Sequence, residues 1–341
     1  MNPDFTVRNT SRVYVARAEE LLPQRLCGEQ VFVVTDEVVE ALYPDLLPHY
    51  PHICIPCGEQ HKTLTTVESI HRRLLALGAD RKSFLLAVGG GIVTDTAGFA
   101  ASTYMRGIRF GFLSTTLLGQ VDASVGGKNG VNVDGYKNMA GTFTQPEFVV
   151  CDTTMLRTLP EREFRAGLAE VVKSAIIADP NLFERLEQTS FAQLRSDEAL
   201  LEQVVRAAVG VKVAIVERDE REAGERRLLN LGHTLAHAIE KCSHAMNHGE
   251  AVAVGMRLVA DCAVRGGWLD EAVGVRICGL LTRLGFVLES PVGLDRLLAE
   301  VGKDKKSDGE SIHLIVPHAI GHCEVHTLEK EALQMLFKQD K

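Results

Sequence analysis

Through its first 150 residues the chain alternates short apolar runs with stretches whose apolar positions recur at helical spacing. QVFVVTD at 30–36, PHICIP at 51–56, FLLAVGG at 84–90, RFGFLS at 109–114 and EFVVCD at 147–152 read as strands. Between the second and third, Val67, Ile70, Leu74 and Leu75 share one helical stripe, with Arg72 and Arg73 turned away. A helix of small residues, GFAASTY, is expected at 98–104. Strands that are apolar throughout need cover on both faces, so this half predicts a mostly parallel sheet flanked by helices.

After Asp152 the period changes. Segments 161–177, 196–217, 228–241, 249–264, 270–283 and 292–302 all carry a helical pattern. One late strand candidate, SIHLIVP at 311–317, follows the charged turn DKKSDG at 304–309. The pattern therefore predicts an α/β domain over 1–152 and a helical domain over 153–341. The Gly-, Asn- and Lys-rich stretch 124–138 is too polar for a core strand and too rich in glycine for a plain linker.

A chain of 341 residues, 45% hydrophobic and 24% charged, has room for two such domains. Its net charge of -8 argues against a general nucleic-acid surface while allowing a local basic pocket. No apolar run is long enough to span a membrane, and MNPDFTVRNTS lacks the pattern of a secretory leader, so the cytoplasm is the expected location. The eight cysteines are scattered. Cys54 and Cys57 form a lone CxxC with Pro56 inside it, and free thiols in a reducing compartment are the better reading.

Two constellations carry candidate chemistry. Gly89, Gly90 and Gly91 follow a buried-looking strand and open a helix, where backbone N–H groups can meet a pyrophosphate. The spacing is not GxGxxG, and a tight packing turn explains these glycines equally well. Asp36 ends the first long strand, where it can accept from a ribose; Asp95 lies in the first turns of the helix; Thr115 and Thr116 end the strand at 109–114 on the same sheet edge. Farther on, His233 and His237 are one helical turn apart, as are His244 and His248. Four histidines within sixteen residues point to a catalytic divalent metal, with Glu170, Glu240 and Glu250 as candidate carboxylate partners. Arg106, Lys128, Lys137, Lys173, Lys212 and Arg226 suit a phosphorylated, carboxylated small substrate. Arg218, Arg221 and Arg227 fit a solvated surface better.

The run RGIRFGFLSTTLLGQVDASVGGKNGVN, followed in order by GYKNMAGTFTQP, AGLAEVVK, LLNLGHTLAHAIE, HGEAVAVGM and DKKSDG, resembles the 3-dehydroquinate synthase family over essentially the whole chain. The resemblance implies a Rossmann-like, NAD-binding parallel-sheet domain and a C-terminal all-helical metal-binding domain. It implies conversion of 3-deoxy-D-arabino-heptulosonate 7-phosphate, a seven-carbon keto-acid sugar phosphate, to 3-dehydroquinate and phosphate in the shikimate route. The family's course is transient oxidation by NAD, phosphate elimination, re-reduction and intramolecular aldol closure.

Carried over by position, the resemblance makes Glu170, His233 and His248 the ligands of zinc or cobalt. The NAD side becomes Asp36, Glu59, Lys62, Gly90, Gly91, Asp95, Thr115, Thr116, Lys137 and Asn138. Substrate contacts become Asp122, Lys128, Lys173, Lys212, Arg226, Asn230, Lys305, His248 and His237, the last also a proton carrier. It further implies a homodimer in which Arg106 reaches the phosphate in the neighbouring subunit's site. Ser114, Asn129, Ala236, Thr142 and Thr144 depart from the family's usual residues, and none of them removes a charged or metal-binding group. Sister cyclases acting on other sugar phosphates and metal-dependent polyol dehydrogenases are the competing readings.

Overall fold

The computed structural model describes residues 1–46, 48–301 and 311–338. It divides into two compact units, Met1–Phe164 with Lys212–Arg221, and Arg165–Val211 with Glu222–Lys341.

The first unit is built on a seven-stranded sheet. Its strands are β1 (Phe5–Val7), β2 (Ser11–Tyr14), β3 (Val31–Asp36), β4 (His52–Ile55), β5 (Phe84–Gly89), β6 (Arg109–Ser114) and β9 (Phe148–Cys151). They lie in the order β1-β2-β9-β6-β5-β3-β4, with β1 antiparallel to β2 and every other pair parallel. All six residues of β5 are buried, as are the first five of β3, which is why these strands are apolar without alternation. The expected small-residue helix is longer than its pattern indicated. It runs Gly91–Thr103, beginning immediately after the glycine turn, and its small residues let it lie close against the sheet.

The stretch 124–138 resolves into a hairpin, β7 (Lys128–Val133) and β8 (Tyr136–Phe143). Asp134 and Gly135 both have positive φ (50° and 78°), as a two-residue turn between twisted strands requires. Gly130 and Gly141 face each other so closely that a Cβ on Gly141 would lie 2.2 Å from the Asn129 carbonyl oxygen. Asn129, one of the departures from the family pattern, donates to the Gly127 and Thr144 carbonyls at 3.2 and 2.8 Å and so ties the hairpin's base together.

The second unit is largely helical. Its long helices Glu161–Ala178 (which starts at the end of the first unit), His248–Arg265 and Glu271–Arg283 follow the expected spans closely. The segment read as one helix over 228–241 is interrupted. A 3₁₀ turn covers Glu225–Asn230, and Gly232, at φ 79°, reverses the backbone before the helix begins at His233. The late strand candidate is β10 (Ser311–Ala319), and it pairs with an antiparallel partner, β11 (His322–Glu329), that the pattern did not reveal. Among the described residues no helix is long and apolar enough to cross a membrane.

Candidate metal and nucleotide sites

Glu170, His233 and His248 come from three helices, and one ligand atom from each lies within 4.8 Å of the others. Two close backbone approaches put them there. Gly249 passes Ala166 so tightly that a Cβ on it would lie 2.3 Å from the Ala166 Cα, which sets His248 beside the next turn of Ala166's helix, where Glu170 stands. Gly255 meets Gly232 in the same way, a Cβ there falling 2.1 Å from the Gly232 carbonyl oxygen, and this seats the helix that His233 begins.

The result is compact. Glu170 Oε1 lies 3.7 Å from His233 Nε2 and 3.5 Å from His248 Nε2. The second nitrogen of each imidazole is occupied: His233 Nδ1 lies 3.1 Å from the Leu231 carbonyl, and His248 Nδ1 lies 3.3 Å from Glu240 Oε1. With Nδ1–H donating outward, each ring turns its Nε2 towards Glu170, the arrangement that orients histidine for a metal. Burial, with Lys173 adding to it, pushes the His233 pKa down to about 3, so this imidazole is neutral. Burial also works against a charge on His248, but the hydrogen bonds it donates to Glu170 and Glu240 outweigh it and raise that pKa to about 9. Two imidazoles and one carboxylate suit a divalent ion of the zinc or cobalt kind, with a coordination position left over.

Around this cluster, Lys173 Nζ contacts Glu170 Oε2, both side chains being almost fully buried. His237 sits one turn along from His233, with ring centroids 5.6 Å apart. Arg226 is 2% exposed within the 3₁₀ turn, and Asn230, which ends that turn, donates to Glu222 Oε1. Of the alternative carboxylates, Glu240 stands behind His248, while Glu250 closes a capping box with Asn247 at the start of the helix. His244 is exposed and lies outside the cluster. Sequence reasoning missed Gly232, Gly249 and Gly255, whose importance comes from contacts distant in the chain. Replacing Gly249 by Val should force the two helices apart, costing about 1–3 kcal/mol of stability by overpacking and lowering metal affinity. Urea unfolding and a zinc titration would check this, and an unchanged affinity would contradict it.

In the first unit a second group of expected residues comes together. Lys62, 5% exposed, reaches Asp95 Oδ2 at 2.5 Å and Asn138 Oδ1 at 2.6 Å. Burial raises the Asp95 pKa, and the Lys62 ammonium pulls it back. Asn132, which sequence reasoning did not single out, donates to Glu59 Oε1 at 2.8 Å and accepts from the Asn138 backbone N–H at 2.9 Å. Gly90 precedes the helix Gly91–Thr103, and a Cβ there would meet Thr116 Cγ2 at 2.8 Å. A bare helix N-terminus beside a small-residue turn can receive a phosphate. Thr115 and Thr116 follow β6 directly, and the Thr116 hydroxyl accepts from the Gly119 N–H. Asp36 caps the helix Glu37–Leu42 with one carboxylate oxygen.

Asp122 is presented by a π-turn, Gly119–Ala123, and holds Lys212 Nζ at 2.6 Å. Lys128 opens β7 and Lys137 lies in β8, both exposed. Arg106 is exposed in a loop where Met105, Arg106 and Gly107 all have positive φ (49°, 72° and 114°). Lys305 lies outside the described residues. All eight cysteines are free, and burial together with the neighbouring Glu40 pushes the Cys54 pKa up to about 12, far from a reactive thiolate.

Two family models match in succession: the 3-dehydroquinate synthase N-terminal model over residues 52–166 and the C-terminal model over 167–307. A 3-dehydroquinate synthase of Dictyoglomus thermophilum is 41% identical over 315 residues, covering 91% of this chain and 89% of its own. Among solved structures, a 2-deoxy-scyllo-inosose synthase in complex with carbaglucose-6-phosphate, NAD+ and Co2+ superposes with a TM-score of 0.86 at 26% identity, over 97% of this chain and 96% of the other. A 2-epi-5-epi-valiolone synthase from Streptomyces hygroscopicus with NAD+ and Zn2+ bound gives 0.86 at 28% identity, over 97% of both chains. The chain belongs to the 3-dehydroquinate synthase family.

Proposed function

We propose that the chain converts 3-deoxy-D-arabino-heptulosonate 7-phosphate to 3-dehydroquinate and phosphate, using NAD and one divalent metal. The observation that carries this reading furthest is the buried Glu170–His233–His248 cluster, with both imidazoles oriented from behind, in a chain of this family. When bound, NAD supplies a reversible hydride acceptor, and the metal acidifies and polarises substrate hydroxyl and carbonyl groups.

Glu170, His233 and His248 hold the metal. Glu59, Lys62, Asp95 and Asn138 form the polar floor of the NAD site. Gly90, Gly91, Thr115 and Thr116 line its phosphate end, and Asp36 and Lys137 complete it. Lys173, in contact with Glu170, orients the substrate carboxylate and hydroxyls, together with Asn230 and Lys305. Asp122 fixes the Lys212 ammonium as a second positive contact. His237 carries protons, since its ring stands beside His233 and it is the one histidine of the group left to do so. Lys128 and Arg226 hold the substrate phosphate, and the partner subunit's Arg106 completes that clamp in a homodimer. The departing phosphate oxygen takes the C6 proton, so the chain's task is mostly positioning. Eight free thiols support a cytoplasmic setting.

Lys62→Met should weaken NAD binding at least about tenfold and cost about 3 kcal/mol of stability, because Asp95 is left buried without its cation. Isothermal titration with NAD reads the first, and an unaltered affinity would remove Lys62 from the cofactor site. The function itself is tested by phosphate release from metal-loaded protein with 3-deoxy-D-arabino-heptulosonate 7-phosphate, sedoheptulose 7-phosphate and glucose 6-phosphate in parallel. Release from the first alone is expected. Release only from another sugar would move the chain to a sister cyclase.

A further inference from the structure

The hairpin β10–β11 carries a second cluster of metal-ligating side chains that the proposed reaction does not use. His318 Nε2 and His326 Nε2 lie 3.0 Å apart, and Glu324 Oε2 lies 3.7 Å from His318 Nε2. Ligand atoms of the three residues fall within 4.8 Å of one another. His322 Nε2 lies 3.3 Å from the other oxygen of Glu324.

The strand geometry explains the convergence. His322, Glu324 and His326 alternate along β11, so all three side chains leave one face. The pairing register slips between Pro317 and Ala319, and His318 is the extra residue in that bulge. A bulge re-aims its side chain, and here it adds a histidine from β10 to the three-residue row on β11. In a tetrahedral zinc site, with metal–nitrogen bonds of about 2.0–2.1 Å, neighbouring ligand atoms stand about 3.4 Å apart. The two separations, 3.0 and 3.7 Å, bracket that value.

We propose that His318, Glu324 and His326, with His322 beside them, form a second divalent-metal site that clamps the β10–β11 hairpin. Two or three imidazoles with one carboxylate select a borderline transition ion such as Zn2+ or Ni2+ over Mg2+ or Ca2+. The site is separate from the Glu170 cluster. His248 begins a helix of 18 residues, about 27 Å long at 1.5 Å per residue, whereas Trp268, three residues past that helix's last residue, packs edge-on against the His326 ring at 4.6 Å. The hairpin is also tied to the helix Glu161–Ala178, through the Gly321 N–H and the Ile176 carbonyl at 2.9 Å. A bound ion therefore links the two strands of a hairpin already anchored at Ile176 and Trp268, and it stabilises the folded chain by mass action.

Trp268 is the only tryptophan in the sequence, which makes the site directly readable. The full chain, equilibrated with Zn2+ and freed of loose ions, should hold two zinc ions per chain. The double variant His318→Ala, His326→Ala should hold one, and so should His233→Ala. Ni2+ should quench Trp268 fluorescence in the wild type and in His233→Ala, with at least about a tenfold higher midpoint or no quenching in the double variant. Should the double variant misfold, Glu324→Gln and His322→Ala, both at exposed positions, should still raise the quenching midpoint while leaving the circular dichroism spectrum unchanged. One zinc per wild-type chain, or a double variant that keeps both ions and its quenching, would overturn the proposal. Because His233→Ala abolishes only the first site, failure of the proposed reaction and failure of this inference give different results.

Discussion

His233→Ala is expected to lose most of its metal and at least about a thousandfold in turnover, while His237→Ala keeps the metal and loses turnover less severely. The two histidines are one helical turn apart and their rings nearly touch, so a generic effect of removing an imidazole here would be similar for both. Their surroundings differ. His233 is buried, holds its Nδ1 against the Leu231 carbonyl and points Nε2 at Glu170. His237 is only half-buried and is not a member of the ligand cluster. A ligand's loss removes an electrophile worth several kcal/mol, and each 1.36 kcal/mol is a factor of ten in rate. Metal analysis of the two purified variants reads the split directly. Equal metal loss from both would reassign the ligands.

Arg106→Ala is expected to lower turnover by about a hundredfold to a thousandfold while leaving NAD affinity nearly unchanged. A guanidinium on a phosphate makes paired, charge-assisted hydrogen bonds, and removing one such donor from a reacting centre typically costs that much. The loop is unusual in its backbone: Met105 and Arg106 are both held at positive φ without being glycine. Such strain, of order 1–3 kcal/mol per residue, persists where the conformation serves a site. Here it holds an arginine out into solvent, as a residue serving another subunit's site would be. Mixing Arg106→Ala with His233→Ala protein should restore activity above either alone, because a mixed dimer contains one site with its own metal ligands and an intact partner arginine. Normal turnover in Arg106→Ala, or no recovery on mixing, would sink the shared site.

The sheet was legible because β3, β5, β6 and β9 are buried on both faces, and continuous apolar runs have few other uses. The hairpin at 128–143 was harder. Its second strand is almost wholly exposed, so no apolar alternation marks it, although Asp134–Gly135 was a turn signal available in the sequence. Gly232 broke a helix that the pattern ran straight through, for a reason located at Gly255, twenty-three positions on. In the candidate site, spacing alone found the histidines but could not choose among Glu170, Glu240 and Glu250. That choice depends on which helices touch, and the Gly249–Ala166 approach is what puts Glu170 in front of His248 and leaves Glu240 behind it. Glu59 and Lys62 meant little in the sequence, because their partners, Asn132, Asn138 and Asp95, lie 33 to 76 positions away.

The most direct test is a count of turnovers per NAD. Metal-loaded protein is given 3-deoxy-D-arabino-heptulosonate 7-phosphate with NAD at about one-hundredth of the substrate concentration, and 3-dehydroquinate, phosphate and NADH are followed together. A chain that lends and recovers its hydride should convert essentially all the substrate, form equal amounts of 3-dehydroquinate and phosphate, and build up no NADH. No conversion of this substrate, with NADH formed in step with a polyol instead, would contradict the account and make the chain a dehydrogenase of the same fold.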